Sequence, residues 1–551
     1  MTYEKFVTEG FDGSGRLVSF EKKPGTDFNF GFDCVDVLGR EKPDKTAMMW
    51  VSESGEEHRF TFADMMKQSA ATANYLRNLG IRKGDRVMLV LKRHYQFWFA
   101  IVALHKLGAI AIPATHLLTK KDYVYRFDAA GVRAIICADD DFVVGQVDAA
   151  AAESKTLEFR IATGKAHEGW LDLNEGIAAQ STVFDRPRGE DAAKETDPML
   201  MYFTSGTSGY PKIAAHDFTY PLGHVVTARY WHNVDSEGLH FTVADTGWGK
   251  AVWGKLYGQW LCDAAVFTYD FDKFDGKKIL SMIEKYGITT FCAPPTIYRF
   301  CIKEDLSKFD LSSLKYATTA GEAVNPEVFN KFKQMTGLSL MEGFGQTETA
   351  LTVANLVGTV PKPGSMGKPT PQYDIAIVDD EGKPVKTGAV GEICLRTDHG
   401  RPLGMFIGYY NDPAKTEAAW HDGLYHTGDM AWKDEDGYVW YVGRTDDLIK
   451  SSGYRIGPFE IESVLMEHPA VMECAVTAVP DPIRGQAVKA TIVLAKGFEA
   501  SDDLVKELQT HVKKMTAPYK YPRVVEFVEE LPKTISGKIR RVEIRNGKAD
   551  K

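Results

Sequence analysis

Short apolar runs alternate with segments of helical spacing through the first half of the chain. Strands buried on both faces of a parallel sheet show such uninterrupted runs. The segment TFADMMKQSAATANYLRNLG instead predicts a helix, because Thr61 can cap it with Asp64 three residues later and Gly80 ends it. This alternation indicates α/β layers. The predicted strands are RVMLVL (86–91), RAIICA (133–138), MLMYFT (199–204), AAVFTY (264–269) and ITTFCA (288–293).

The pattern changes after about residue 360. The stretch YDIAIVDDEGKPVKTGAVGEICLRT has short runs around a DDEG turn, and KDEDGYVWYVG looks like a second hairpin. Both predict antiparallel β structure. From about residue 445, one helix candidate, two strand candidates and a second helix candidate predict a small α+β domain. The sequence therefore predicts an N-terminal domain over residues 1–444, with α/β layers and a β-rich subdomain, and a C-terminal domain over 445–551.

Composition narrows the class of protein. A chain of 551 residues is too long for one hydrophobic core, so two or more domains are expected. The 44% apolar and 26% charged residues are ordinary for a globular protein. A net charge of −9 disfavours a nucleic-acid partner, although a local basic site could still bind an anion.

Location is predicted to be cytoplasmic. The seven cysteines are scattered without a C-x-x-C pair, which is typical of a reducing compartment. The N-terminal MTYEKFVTEG lacks the basic and apolar regions of a secretory signal. The most apolar window, WFAIVALHKLGAIAIPA, contains His105 and Lys106 and predicts a buried helix running into a strand, so no membrane span is expected.

The stretch YFTSGTSGYPK follows a predicted buried strand and is a candidate phosphate cradle. Glycines let the backbone approach an anion closely, hydroxyls donate hydrogen bonds, and a lysine adds a point charge. A solvated linker is the alternative for such a composition. The spacing fits neither a Walker loop nor a hydrolase nucleophile elbow. The candidate ligands are Thr204, Ser205, Gly206, Thr207, Ser208, Gly209 and Lys212.

Four further stretches occur downstream in a fixed order: MEGFGQTETA (341–350), YHTGD (425–429), GRTDDLIKSSGYRIGPFEIE (443–462) and LPKTISGKIRR (531–541). With the loop, they resemble the adenylate-forming enzymes, which include acyl-CoA synthetases, adenylation domains and luciferases. The resemblance covers essentially the whole chain. It is closest to the medium-chain acyl-CoA synthetases, on the runs GYRIGPFEIES, HPAVMECAV, PDPIRGQ and TAPYKYPR.

The resemblance implies ATP, Mg²⁺ and coenzyme A as cofactors and a carboxylic acid as substrate. A carboxylate attacks the α-phosphate of ATP, and the coenzyme A thiol then displaces AMP. The implied catalytic residues are Lys538, which bridges carboxylate and phosphate, Thr347 at the α-phosphate, and Glu348 at Mg²⁺. The implied nucleotide ligands are the loop above, Gly343, Phe344 against adenine, Gly345, Gln346, and Asp429 and Arg444 at the ribose.

In such enzymes the small C-terminal domain is mobile and rotates between the two steps. The resemblance implies that Asp446 occupies the hinge position of these enzymes. Lys538 is also a candidate for reversible acetylation, which would remove its charge. The residues implied to contact coenzyme A are Ser452, Gly453 and Tyr454 along the pantetheine channel, and Arg455, Arg484 and Lys513 at phosphates.

The acid is predicted to be short, medium-chain or branched. Acetate-specific relatives carry a tryptophan directly after the adenine aromatic, where this chain has Gly345. The other candidate pocket residues are Trp248, Lys250, Trp253 and Gly321. Acetate or an aromatic acid, a carrier-protein thiol as acceptor, and a scaffold without activity are the alternatives, and monomer and homodimer both stay open.

Several of these residues also have plain structural interpretations. Phe344 could be core, and Asp429 could cap the segment that follows it. Lys538, Arg484 and Lys513 could be surface charges. Three histidines, His216, His421 and His426, are read as structural, and the cysteines as small core residues.

Overall fold

The structure is a computed structural model that describes residues 1–164, 167–204, 210–452, 454–533 and 539–547. The strands are β1 (Val7–Phe11), β2 (Leu17–Lys22), β3 (Thr46–Ser52), β4 (Glu57–Thr61), β5 (Arg86–Val90), β6 (Ile110–Pro113), β7 (Val132–Ala138), β8 (Phe159–Thr163), β9 (Leu171–Asp172), β10 (Pro198–Thr204), β11 (Lys212–Asp217), β12 (Leu239–Thr242), β13 (Ala265–Asp270), β14 (Thr290–Ala293), β15 (Tyr316–Ala320), β16 (Leu340–Gly345), β17 (Leu351–Ala354), β18 (Lys368–Pro369), β19 (Asp374–Val378), β20 (Gly391–Arg396), β21 (Gly408–Tyr409), β22 (Trp420–His421), β23 (Leu424–Lys433), β24 (Val439–Arg444), β25 (Ile449–Ser451), β26 (Tyr454–Ile456), β27 (Val471–Asp481), β28 (Gly485–Leu494) and β29 (Val524–Phe527).

The helices lie between these strands. The α-helices are α1 (Asp36–Glu41), α2 (Phe62–Asn78), α3 (Gln96–Leu107), α4 (Lys120–Ala130), α5 (Asp141–Ala151), α6 (Leu173–Ala178), α7 (Tyr220–Val225), α8 (Gly249–Lys255), α9 (Tyr257–Leu261), α10 (Gly276–Tyr286), α11 (Pro295–Cys301), α12 (Pro326–Thr336), α13 (Pro413–Ala419), α14 (Pro458–Met466), α15 (Asp502–Met515) and α16 (Arg541–Arg545). Short π-helical turns cover Phe30–Val35 and Val226–Trp231, and 3₁₀ turns cover Thr2–Lys5, Gly189–Asp191, Leu306–Lys308 and Pro518–Lys520.

Two large sheets form the α/β layers in the described part of the chain. One has the order β21-β11-β10-β6-β5-β7-β8-β9, and the other β18-β17-β16-β15-β14-β12-β13-β3-β4. Both are parallel in the centre, as the apolar runs predicted, but their edges are antiparallel at β10–β11 and at β16–β17. The antiparallel edges place the segments that connect β10 to β11 and β16 to β17 next to the parallel strand ends, where α/β proteins bind ligands.

The β-rich part and the C-terminal part follow in chain order. Strands β19, β20, β23 and β22 form an antiparallel sheet, with β24 paired to β23. The last sheet has the order β26-β25-β28-β27, with β29 added parallel to β28, and α14 and α15 pack beside it. This agrees with the predicted fold class. The connection between the two sheets runs from Arg444 to Ile449, and the boundary at 444/445 stays a prediction.

Local signals placed several elements correctly. Thr61 caps α2, its Oγ1 accepts from the Asp64 N–H at 3.2 Å, and the Asp64 carboxylate accepts from the Thr61 N–H at 2.9 Å. The apolar window forms α3 and β6, and every residue of α3 is buried. None of the helices in the described ranges is long and apolar enough to cross a membrane.

The polar residues of α3 are paired inside the core. The Lys106 ammonium lies 2.7 Å from a carboxylate oxygen of Asp36, and both residues are buried. His105 hydrogen-bonds the Tyr257 hydroxyl at 2.8 Å. Burial lowers the pKa of Lys106 and raises that of Asp36, while each partner's charge opposes the shift. The pair therefore links α3 to α1. Burying either charge costs desolvation free energy, and only the attraction between the two charges offsets that cost.

Lys106→Met is expected to destabilise the protein by about 3–5 kcal/mol, because it leaves the Asp36 carboxylate buried without its counter-ion. The measurement is the free energy of unfolding in urea. Lys106→Met combined with Asp36→Leu is expected to regain most of that loss, since no buried charge is left behind.

The matched control is Lys120→Met, which removes an exposed pair with Glu153. Its effect should stay below about 1 kcal/mol. A Lys106→Met effect as small as that of the control would show that the buried pair does not stabilise α3.

Candidate active site

The predicted phosphate loop is the turn of the β10–β11 hairpin. Thr204 and Lys212 are cross-strand partners at its base. The Lys212 ammonium lies over the Tyr409 ring, 4.7 Å from the ring centroid. Ser205, Gly206, Thr207, Ser208 and Gly209 lie outside the described residues, so their contact with phosphate stays a prediction.

The second turn, between β16 and β17, contains Gln346, Thr347 and Glu348 and is called the QTE turn. Hydrogen bonds hold its backbone in place. The Gln346 N–H donates to Thr349 Oγ1 at 3.0 Å, and the Thr347 carbonyl is 2.8 Å from His216 Nε2. Burial lowers the pKa of His216 to about 3, so its ring is neutral and Nε2 donates to that carbonyl. His216, read from sequence as merely structural, thus positions the backbone at Thr347.

Glu348 connects this turn to the phosphate hairpin. Its Oε1 accepts a hydrogen bond from the Tyr409 hydroxyl at 2.8 Å, and the Lys212 ammonium lies over the ring of the same tyrosine. Burial raises the pKa of Glu348, and the Tyr409 hydrogen bond and the charges of Lys212 and Arg444 partly offset that shift. Burial disfavours the ionised form of this carboxylate. A hard divalent cation would stabilise that form through its charge, so the position suits such a cation.

A bulge in the β-rich sheet presents Asp429. Glu392 pairs with Met430 and Cys394 pairs with His426, so β20 advances two residues while β23 advances four. The extra residues include Gly428, whose φ of 70° is in the left-handed region. A Cβ there would also lie 2.7 Å from the Arg444 guanidinium. Bulges commonly redirect a side chain beside an active site, and this one directs Asp429.

Asp429 is 5% exposed and is held by donors from two elements. Tyr441 Oη donates to it at 3.2 Å and Arg444 Nη1 at 3.3 Å, both from β24. The Gln346 amide donates to the same carboxylate from the turn after β16. The Phe344 ring lies 6.3 Å from the Tyr441 ring. These contacts bring together Phe344, Gln346, Asp429 and Arg444, which the sequence had separated.

The site also contains residues that sequence reasoning missed. Tyr409, Tyr425 and Tyr441 contact Glu348, Gln346 and Asp429 through their hydroxyl groups. Tyr425 is the first residue of the YHTGD motif, and Tyr441 lies two residues before GRTDD, which was the available signal. Tyr409 comes from β21, far from any motif.

Two motif glycines have packing reasons. A Cβ on Gly343 would lie 2.7 Å from Leu351 Cδ1 and from the Trp231 ring. A Cβ on Gly345 would lie 2.3 Å from the Ala350 carbonyl oxygen and 2.6 Å from the Trp253 ring. Glycine at 345 therefore does not open a pocket by itself, because the Trp253 ring already fills the space beside it.

The remaining pocket candidates gather around α8. Trp253 is buried, and its indole N–H donates to the Tyr220 hydroxyl at 3.1 Å. Lys250 Nζ donates to the Ala320 carbonyl at 2.7 Å, next to the exposed Gly321. Trp248 is the N-cap residue of α8. Contact of these residues with an acid stays a prediction.

The C-terminal candidates have protein partners in this conformation. The Tyr454 ring stacks on Tyr519 at 4.0 Å, and Arg455 Nη1 bonds Asp380 at 3.2 Å across to the β-rich sheet. Arg484 is 3.5 Å from Asp481, and Lys513 lies over the Tyr521 ring. The Ser452 N–H, directly after the end of β25, donates to the Arg484 carbonyl at 3.0 Å.

The predicted hinge lies where β24 passes into β25. The Asp446 carboxylate is 3.6 Å from Arg444 Nε, and its carbonyl accepts from Arg545 at 2.6 Å. Gly453 and the predicted catalytic Lys538 lie outside the described residues. Roles for all of these C-terminal residues stay predictions.

Comparisons with known proteins agree with this arrangement. The family described as AMP-binding enzyme matches residues 36–410, and the AMP-binding enzyme C-terminal domain matches residues 460–538. The human mitochondrial acyl-coenzyme A synthetase ACSM5 is 43% identical over 529 residues, covering 94% of this chain and 90% of that protein. Human mitochondrial acyl-coenzyme A synthetase ACSM3 is 42% identical over 528 residues, covering 94% of this chain and 89% of that protein.

Among solved structures, the anthranilate CoA ligase AuaEII in complex with anthranoyl-AMP superposes with a TM-score of 0.85. It is 30% identical, and the match covers 95% of this chain and 97% of that one. The predicted resemblance to adenylate-forming enzymes, and within them to medium-chain acyl-CoA synthetases, is confirmed. The AMP-binding match alone covers more than half of the chain, and the relatives align over 94% of it. This chain therefore belongs to the AMP-binding enzyme family.

Proposed function

We propose that the protein is an ATP-dependent, AMP-forming acyl-CoA synthetase. The observation that carries the proposal is the buried Asp429, held by Tyr441, Arg444 and Gln346 beside the Glu348–Tyr409–Lys212 cluster. A fixed carboxylate suits the two hydroxyls of a ribose, and the neighbouring cluster suits a polyphosphate. The relatives named as acyl-coenzyme A synthetases support this activity.

The reaction has two balanced steps. A carboxylate oxygen of the acid attacks the α-phosphorus of ATP, and the bond to the β-phosphate breaks to release pyrophosphate. The sulfur of coenzyme A then attacks the acyl carbon, the bond to AMP breaks, and the thiol proton passes to solvent. The chain contributes positioning and charge stabilisation, with no covalent enzyme intermediate.

Residues at the cleft take separate parts in this reaction. Asp429 and Arg444 orient the ribose, while Phe344 lies against the adenine. Lys212, with the hairpin loop, neutralises the outer phosphates. Thr347, whose carbonyl is held by His216, contacts the α-phosphate. Lys538 supplies charge to the attacking carboxylate and the phosphate.

Mg²⁺ is the metal that the site fits. Glu348 offers a half-buried carboxylate oxygen as ligand, and Mg²⁺ is commonly held by one or two carboxylates together with substrate phosphates. When bound, the ion neutralises charge that develops on the phosphates. Tyr409 orients the Glu348 carboxylate through its hydroxyl.

The proposed substrate is a short, medium-chain or branched acid. An aromatic acid is the second candidate, favoured by the likeness to the anthranilate CoA ligase. A panel from acetate to octanoate with benzoate and anthranilate, scored by pyrophosphate release with and without coenzyme A, separates these candidates. Pyrophosphate release without any acyl-CoA product would instead indicate a different acceptor, such as a carrier-protein thiol.

We also propose that the enzyme works in the cytoplasm. All seven cysteines are buried and free, which is consistent with a reducing compartment. The two human relatives carry mitochondrial names, so imaging of a fluorescent fusion against cytosolic and organelle markers tests the location.

Lys538→Ala is expected to slow adenylation on the order of a hundredfold or more, because a preorganised charge at the attacked phosphate is lost. Thioester formation from supplied acyl-adenylate should be spared. The two half-reactions are measured separately, by pyrophosphate release and by consumption of the coenzyme A thiol.

The control is Lys533→Ala, five positions earlier, whose ammonium lies 2.8 Å from Glu473. It should leave both half-reactions near wild type. An equal fall of both half-reactions in a folded Lys538→Ala protein would remove Lys538 from the adenylation step.

Asp446→Pro is expected to spare adenylation and abolish coenzyme A-dependent turnover, because proline fixes φ and hinders rotation at the hinge. Asp446→Ala is the matched control, since it loses the same contact with Arg444 but keeps a free backbone. Normal thioester formation in the proline variant would exclude residue 446 as the hinge.

Trp253→Leu is expected to raise activity on octanoate relative to butyrate by about tenfold or more, because it vacates the space beside Gly345. The ratio of the two kcat/KM values is measured, since it cancels any general loss of folded enzyme. Trp253→Phe, which keeps a ring, should move the ratio less. An unchanged ratio in the leucine variant would show that the acyl chain does not reach Trp253.

A further inference from the structure

A cluster of three potential metal ligands lies behind the Asp429 bulge. It consists of Glu392, Cys394 and His426, whose ligand atoms all lie within 4.8 Å of one another. We call this set the EHC cluster. The proposed acyl-CoA synthetase reaction uses none of its side chains.

Strand geometry brings these residues together. Cys394 and His426 are direct cross-strand partners on β20 and β23. Glu392 stands two residues before Cys394 on the same strand, so both side chains lie on one face of the sheet. The three ligands are therefore carried by rigid paired strands, which is the setting that a preorganised metal site requires.

The distances agree with a single small ion. His426 Nδ1 lies 3.4 Å from Cys394 Sγ and 3.0 Å from Glu392 Oε2. Tetrahedral zinc, with bonds of about 2.3 Å to sulfur and about 2.0 Å to nitrogen or oxygen, places such atoms about 3.6 Å and about 3.3 Å apart. Both observed separations are within about 0.4 Å of these values. The same ring nitrogen is near both other ligands, and Cys394 Sγ lies within 4.8 Å of the Glu392 carboxylate, so the three ligand atoms surround one common position.

The surroundings fit a site with one open position. The Glu392 and His426 side chains are each 21% exposed, whereas Cys394 is buried. Solvent can therefore reach one side, where water would complete four-coordination. Glu392 Oε1 accepts from the Gly428 N–H at 2.8 Å, which leaves Oε2 turned toward His426 and fixes the carboxylate's orientation.

The chemistry of the ligands selects the metal class. A thiolate, an imidazole and a carboxylate together favour Zn²⁺, Co²⁺ or related transition metals over Mg²⁺, which takes oxygen ligands. On binding, the ion replaces the thiol proton of Cys394, which passes to solvent. An ordinary Glu–His hydrogen bond with a cysteine nearby is the alternative explanation of the same contacts.

We propose that the EHC cluster is a zinc-binding site. It is distinct from the Mg²⁺ position at Glu348. It is coupled to the nucleotide site, because Glu392 hydrogen-bonds Gly428, the residue directly before Asp429. The proposal does not depend on which acid the enzyme activates.

The test measures Zn²⁺ binding by calorimetry on the full chain, with excess Mg²⁺ present to occupy oxygen sites. One equivalent should bind to the wild type. Cys394→Ser and His426→Gln should each weaken binding at least about tenfold, the least expected for a lost ligand when outer partners alone give about 10–100-fold. Titration with Co²⁺ should produce a thiolate-to-cobalt absorption band that Cys394→Ser abolishes.

Two variants serve as controls. Cys301→Ser changes another buried cysteine, and His421→Gln changes the histidine that stacks on His426 at 4.4 Å without belonging to the cluster. Both should bind Zn²⁺ like the wild type, and thermal unfolding should confirm that all variants are folded. Absence of a wild-type equivalent, or wild-type affinity in Cys394→Ser and His426→Gln, would overturn the proposal.

Discussion

The geometry of the candidate active site depends on keeping one buried carboxylate in place. Asp429 is almost fully withdrawn from solvent, and a buried charge is tolerated only when it is paired and hydrogen-bonded. Its donors come from β24 and from the turn after β16. This requirement therefore connects the β-rich sheet to the edge of the second large sheet. The bulge between β20 and β23 occurs where the Asp429 side chain turns toward its donors.

The same interaction lies at the border of the C-terminal part that is proposed to rotate. Arg444 contacts both Asp429 and Asp446, so the last position of the nucleotide site is adjacent to the proposed hinge. Beyond it, contacts back to the larger part include the exposed Arg455–Asp380 pair and the hydrogen bond from Asn325 to the Ser463 carbonyl at 3.1 Å. Exposed pairs contribute little, roughly 0–1 kcal/mol each. The Tyr441 ring, whose hydroxyl holds Asp429, also lies 6.2 Å from the Phe459 ring of α14, so the proposed rotation of the C-terminal part would have to break that contact as well.

Much of the fold followed from local pattern. The capped helix α2, the buried helix α3 and the five apolar strands were all visible in sequence, because cap spacing and burial act over a few residues. The antiparallel edges of the two large sheets were not visible in sequence, because contacts between residues far apart in the chain decide which strands pair. Likewise, the motifs gave Glu348 and Asp429, but Tyr409 contacts Glu348 from 61 positions away and carries no signal of its own.

Substrate length shows how an inference from one position can miss its physical cause. The register shift lies between Phe344 and Gly345, and a Cβ on Gly345 would lie 2.3 Å from the Ala350 carbonyl oxygen, so glycine at this position has a packing reason of its own. The space in question is filled by Trp253, whose indole hydrogen-bonds Tyr220.

Trp253 is also linked to the QTE turn between β16 and β17, through the packed rings of Tyr220 and His216. The Tyr220 ring lies 3.9 Å from that of His216, and neutral His216 holds the Thr347 carbonyl. Trp253, proposed to limit the length of the acid, is thus connected through Tyr220 and His216 to the turn proposed to hold the α-phosphate. A close-packed interior transmits small displacements. An acid that displaces the Trp253 ring would therefore also disturb Thr347, so that chain length would affect the rate of adenylation as well as the affinity for the acid.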